Sequence, residues 1–205
     1  MYEFNADSAR KAESTGNFIK EMGKYVGVIT QAEDITAKTG TKGVAFTFES
    51  GGQKADFTLY TKKEDGEKIM GFDQLMSIMG CLKVRSIKPE SGQVTVYDFD
   101  QKKDVTRHAT VFPSLCGKPI GILFHTEEYE NSNGQLRQKL GFSGAFQAGT
   151  ELTAAEIFDG KTKPEQLAKM VAYLRHRPLK AGTAPRQAAH TGASDDVDSD
   201  GIPWN

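Results

Sequence analysis

Cysteine is scarce in this chain: Cys81 and Cys116 are the only two among 205 residues, far apart and in no C-x-x-C context. Neither a disulfide framework nor a zinc site is therefore expected, and a reducing compartment such as the cytoplasm fits. No stretch approaches the ~20 consecutive apolar residues of a membrane span. Residues 1–24 carry Glu3, Asp7, Arg10, Lys11, Glu13 and Lys20, which break up the apolar core that a signal peptide needs. Charge of one sign is missing too: 26 Lys and Arg stand against 27 Asp and Glu, a formal net charge of −1. That balance argues against a protein that wraps duplex DNA, although a local basic groove is compatible with a neutral total. Enzyme signatures are also lacking. There is no Gly-x-x-x-x-Gly-Lys-Ser/Thr phosphate loop, and His108, His125, His176 and His190 stand apart without His-x-x-x-His spacing or an evident serine or cysteine partner. Asp98-Phe99-Asp100 and Glu127-Glu128-x-Glu130 could hold Mg²⁺ in a nuclease, but acidic pairs on polar loops are common. The expectation is a protein that is not an enzyme and needs no metal or cofactor.

What the chain does have is strand pattern. Lys24-Tyr25-Val26-Gly27-Val28-Ile29-Thr30 is rich in β-branched and aromatic residues and predicts a first, curved strand. After the turn-forming residues 38–43, Val44, Phe46 and Phe48 alternate with polar neighbours, and beyond Ser50-Gly51-Gly52 so do Ala55, Phe57 and Leu59. These apolar positions, with Phe124 and Phe142, are the candidate core. Leu75, Met76, Ile78, Met79 and Leu82 then fall at helical spacing, with Asp73 near the start, where an acidic side chain suits free backbone N–H groups. Residues 83–117 read as a polar insertion with a short hairpin through Val94-Thr95-Val96-Tyr97. Residues 120–127 and 136–142 bracket the turn Asn131-Ser132-Asn133-Gly134 in a second hairpin.

The resulting core order, β-β-β-α-β-β, predicts a mainly β (β+α) fold: an OB-fold-like five-stranded Greek-key barrel with a helix between strands 3 and 4, an order other small barrels share. The expected layout is an N-terminal segment at 1–22, this domain at 23–150 with its insertion at about 83–117, a helical appendix at 151–177 and a disordered acidic tail at 178–205. In the appendix, Thr153-x-x-Glu156 and Thr162-x-x-Glu165 have capping-box spacing, and Leu167, Met170, Val171 and Leu174 give an apolar stripe. That stripe can pack on its own barrel or across a homodimer. Residues 178–205 hold two Lys or Arg and four Asp, which leaves 24 cations against 23 anions before them. Asp195, Asp196, Asp198 and Asp200 lead to Ile202-Pro203-Trp204, apolar residues on an arm that cannot bury them by itself.

Gly23-Lys24-Tyr25-Val26-Gly27-Val28-Ile29, Thr39-Gly40-Thr41-Lys42-Gly43-Val44-x-Phe46, Leu59-Tyr60-Thr61 and Gly71-Phe72-Asp73-Gln74-Leu75-Met76 resemble a family of bacteriophage single-stranded DNA-binding proteins. Independently, the tail resembles the acidic tip of bacterial and phage members, with Trp204 where they have phenylalanine and Asn205 after it. The resemblance implies a protein without enzymatic activity that coats unwound DNA during phage replication or recombination, in the cytoplasm of an infected bacterium. Its tail would recruit replication or recombination proteins through the four aspartates and Ile202, Pro203 and Trp204.

Sequence-independent binding of a single strand needs aromatic faces for the bases and cations along the phosphates. Lys24, Lys42, Arg137 and Lys139 are the candidates for phosphates, and Tyr25 and Tyr60 for bases, since a phenol tolerates a half-wet groove. Lys62 is a further candidate within the mixed-charge turn Lys62–Glu67, and Lys102, Lys103 and Arg107 would form a basic flap on the insertion. Arg137 and Lys139 share one face of the second hairpin, a face that reads as free of acids until Glu130. The alternative is an OB-fold adaptor that binds only protein, through the tail.

Overall fold

The computed structural model describes residues 18–98, 103–131 and 133–179. They form a mainly β structure in the order β1 (Gly23–Thr36), β2 (Lys42–Ser50), β3 (Gln53–Lys62), α1 (Met70–Cys81), β4 (Glu90–Asp98), β5 (Lys103–Val111), β6 (Pro119–Glu130), β7 (Leu136–Phe146), α2 (Ala154–Phe158) and α3 (Gln166–Ala172). All seven strands join one antiparallel sheet.

The long β1 organises the sheet. Its second half pairs with β2 from Val28 to Thr36, its first half pairs with β6 from Gly23 to Val28, and its other edge touches β5 through Glu33 and Val111. A bulge between Ile29 and Gln31 turns the strand between these neighbours. This explains why β1 runs past the expected end at Thr30: partners on both edges hold the polar stretch Gln31–Thr36, which has little apolar alternation of its own. Among the named strands, β3 pairs only with β2, and β7 only with β6. The two outer strands lie near each other, where Phe57 and Phe142 stack with ring centroids 5.6 Å apart.

Alternation sends Val44, Phe46, Phe48, Ala55, Phe57 and Leu59 into the core with Ile29, Phe124 and Phe142, as the pattern predicts. α1 covers one end with Leu75, Ile78 and Met79 buried, whereas Met76, expected in the same stripe, is 37% exposed. Replacing one of these buried core rings by alanine would cost about 3–5 kcal/mol.

The insertion is more regular than its polar composition suggests. β4 and β5 pair in unbroken register from Glu90–Val111 to Asp98–Lys103. In the appendix the first capping box is present: Glu156 N donates to Thr153 Oγ1, and Thr153 N donates to Glu156 Oε2. The second is not. α3 begins at Gln166, and the backbone N–H groups of Glu165 and Gln166 donate instead to Glu156 Oε1, at 2.7 and 2.9 Å. One buried carboxylate thus closes two helix starts. Leu167, with Met170 and Leu174, packs on Leu123 and Phe146 of the same chain, and Val171 faces solvent.

Candidate nucleic-acid interface

The polar face of β1, β2 and β3 is laid out in rows by the strand register: Gln31–Thr47–Asp56, Glu33–Ala45–Thr58 and Ile35–Gly43–Tyr60; a fourth row, Thr36–Lys42–Lys62, closes the strands beyond a register shift between Lys42 and Gly43. The first two rows carry the acids. Asp56 accepts from Thr47 Oγ1 at 2.7 Å, and burial pushes its carboxyl up from the ordinary value. The last two rows carry an aromatic and cations. Lys42 and Lys62 are direct cross-strand partners, and Lys62 is bridged in turn to Lys68. Among the described residues none of these three lysines makes an ion pair. Like charges placed opposite one another destabilise a sheet, and an anion lying across them would relieve the repulsion.

Local structure makes this cluster. The turn after β3 closes through Gly66 N to Lys63 O and Glu67 N to Asp65 Oδ1, and Lys63 takes up Glu67 in an ion pair of 2.6 Å. Two of the turn's charges are thereby used within it, while Lys62 and Lys68 stand at its base. Phe72, in the first turn of α1, lies beneath both, with its ring centroid 5.9 Å from Lys62 Nζ and 4.2 Å from Lys68 Nζ. Tyr60 lies across Gly43: a Cβ there would come within 3.1 Å of Tyr60 Cδ1 and 2.8 Å of Leu59 O, so only glycine lets the ring settle on the strand. Lys42, Tyr60 and Lys62, expected from sequence, thus come together. Lys68 and Phe72 join them and were missed. Helical periodicity starts only at Asp73, and a cation held over an aromatic ring has no linear signal.

A second group sits on the β6–β7 hairpin, where Tyr129 faces Arg137 and Glu127 faces Lys139. Arg137 Nη2 donates to the neutral Gln135 Oε1 at 2.9 Å. Lys139 Nζ lies 3.4 Å from Glu127 Oε1 and 5.5 Å from the Tyr129 ring centroid. The face expected to lack acids before Glu130 therefore has one directly opposite its lysine. Glu127 is also 3.4 Å from His125 Nε2, while His125 Nδ1 lies 2.8 Å from Ser143 Oγ. The bond to His125, followed by the charge of Lys139, holds the Glu127 carboxyl down at about 2. His125 is 3% exposed and lies over Gly141, where no side chain would fit beneath the ring.

The remaining candidates are dispersed. Lys24 is paired with Glu151 at 2.6 Å, and Arg107 is paired with Glu33 at 2.7 Å. Tyr25 packs on Phe124 with centroids 6.1 Å apart and donates its hydroxyl to Glu21 O, an arrangement that joins it to the core edge. Lys103 is exposed at the start of β5. Lys102 and the tail residues Asp195, Asp196, Asp198, Asp200, Ile202, Pro203 and Trp204 lie outside the described residues, as do Phe99 and Asp100. Glu127 and Glu128 of the other carboxylate cluster serve internal partners, Glu128 accepting from Leu179 N and standing 3.3 Å from His176 Nε2. Among the described residues no helix is long and apolar enough to cross a membrane. No protein-family model matches this chain, and a comparison with curated proteins finds no match.

Proposed function

We propose that this chain binds single-stranded DNA without sequence preference, on an OB-fold body, and recruits replication or recombination proteins through its acidic tail. The observation that carries this reading is the group formed where β2 and β3 end, in which Lys42 pairs with Lys62, Lys62 bridges to Lys68, and Phe72 lies under the last two beside Tyr60. It joins the two elements that single-strand binding requires: cations, of which Lys62 and Lys68 make no ion pair among the described residues while Lys42 acts on the Asp34 carboxyl, and rings beside them on which bases can stack, each worth about 1–3 kcal/mol. The order of three strands, helix and two strands, with β3 beside β7, supports an OB-type barrel into which the β4–β5 hairpin is inserted. Arg137 and Tyr129 would extend the track on the second hairpin.

One observation favours the adaptor that binds only protein: Lys24, Arg107 and Lys139 each face a carboxylate, namely Glu151, Glu33 and Glu127. Fluorescence anisotropy of labelled oligothymidine and of a matched duplex, measured over a range of salt, separates the two. The single-strand reading expects tight binding to oligothymidine alone, with a log–log salt slope of about −0.7 per phosphate contact. No binding at low salt, even with the tail removed, would leave the adaptor.

A further inference from the structure

The β4–β5 hairpin lies on the polar side of β1 and is held there by side chains. Its root belongs to the sheet, with Phe112 N donating to Ala32 O at 2.8 Å beside the Glu33–Val111 pair. Beyond the root, the outer edge of β4 meets the amide of Gln31, which accepts from Thr95 N at 2.6 Å and donates to Thr95 O at 3.1 Å. This side chain takes the place that a neighbouring strand's peptide would fill. Across the ribbon, Arg107 rests on Glu33 through two parallel contacts, Nη1 to Oε1 at 2.7 Å and Nη2 to Oε2 at 2.8 Å. That two-pronged geometry is the one a guanidinium uses on a phosphate. The two partners differ in exposure: the side chain of Glu33 is 13% exposed and that of Arg107 is 48%. An anion from solvent can therefore reach the guanidinium while the carboxylate stays beneath it. In the same row as Glu33, Thr58 Oγ1 is buried and has no hydrogen-bond partner among the described residues.

We propose that Glu33 is a built-in substitute for a phosphate: it parks Arg107 and the hairpin on the polar face until the backbone of a single strand takes over the guanidinium, and the hairpin then acts as a clamp on that strand. This rests on the single-strand reading above. Glu33 is a positioning residue in this scheme, because it acts only through Arg107.

The test is a double-mutant cycle in the full chain, with oligothymidine as the probe. Glu33→Gln removes the competitor and is expected to tighten binding by up to about five-fold, the equivalent of one ion pair of this exposure. Arg107→Ala is expected to weaken binding and to flatten the salt slope by about 0.7. In the Arg107→Ala background, Glu33→Gln should then have no effect, a result that simple removal of a nearby negative charge would not give. If wild type binds and Glu33→Gln matches it, or if the gain persists without Arg107, the clamp is overturned and the single-strand reading stands. Absence of binding by all four proteins overturns both.

Discussion

Glu156 shows how one side chain can tie a segment together. Its Oε2 accepts from Thr153 N and Thr153 Oγ1, and its Oε1 accepts from the backbone of Glu165 and Gln166. The backbone donors of Thr153, Glu165 and Gln166 hold its carboxyl down at about 2, against an ordinary value of 4.5. The group is therefore more acidic folded than unfolded, and the stability it supplies is full above the unfolded value and lost as pH falls through the folded one. Glu156→Gln is expected to melt below wild type at neutral pH, because an amide offers one acceptor oxygen to donors that now share two. The gap in Tm should narrow as pH falls from about 5 to about 2, where the wild-type carboxyl also takes up its proton. Parallel Tm curves over that range, followed by circular dichroism, would show that the carboxylate charge has no part in holding α2 and α3.

At the scale of elements, the β6–β7 hairpin divides its charges unequally. Lys139 has Glu127 opposite it, whereas Arg137 leans only on the neutral amide of Gln135. Arg137→Ala with Lys139→Ala is expected to weaken oligothymidine binding and to flatten the salt slope, by about 0.7 for each phosphate no longer neutralised, with Arg137 accounting for most of it. An unaltered slope would move the track off this hairpin. The strand faces here were legible in the sequence because side chains alternate with period two, and so were α1 and the first capping box, whose signals lie within a few residues. The partners of the cations were not. Glu151, in the turn after β7, meets Lys24 across 127 positions, and Glu33 meets Arg107 across 74, separations that only the tertiary fold closes. The second capping box failed for a more local reason: Thr162-x-x-Glu165 has the right spacing, but Glu156, nine residues upstream of Glu165, already serves the backbone there.

At the scale of the whole molecule, the last described residues run beside one of its basic groups. Before the tail, Arg177 N donates to Thr126 O and Glu128 N donates to Arg177 O, so this segment runs along the free edge of β6. His176 and Leu179 fasten it further, to Thr126 and Glu128. Arg137 and Lys139 sit on the adjoining strand of the same hairpin. Asp195 follows Leu179 by sixteen residues, a span of at most about 55 Å. Deleting residues 195–205 is expected to leave the melting temperature unchanged, because the contacts that fasten residues 176–179 to β6 lie before them, and to tighten oligothymidine binding at low salt. The advantage of the shortened chain should fade as salt rises, since attraction between exposed charges is largely screened beyond about 10 Å at 0.1 M. Coincident binding curves at every salt concentration would show that the aspartates never compete for the cations, and would leave the tail a role toward protein partners alone.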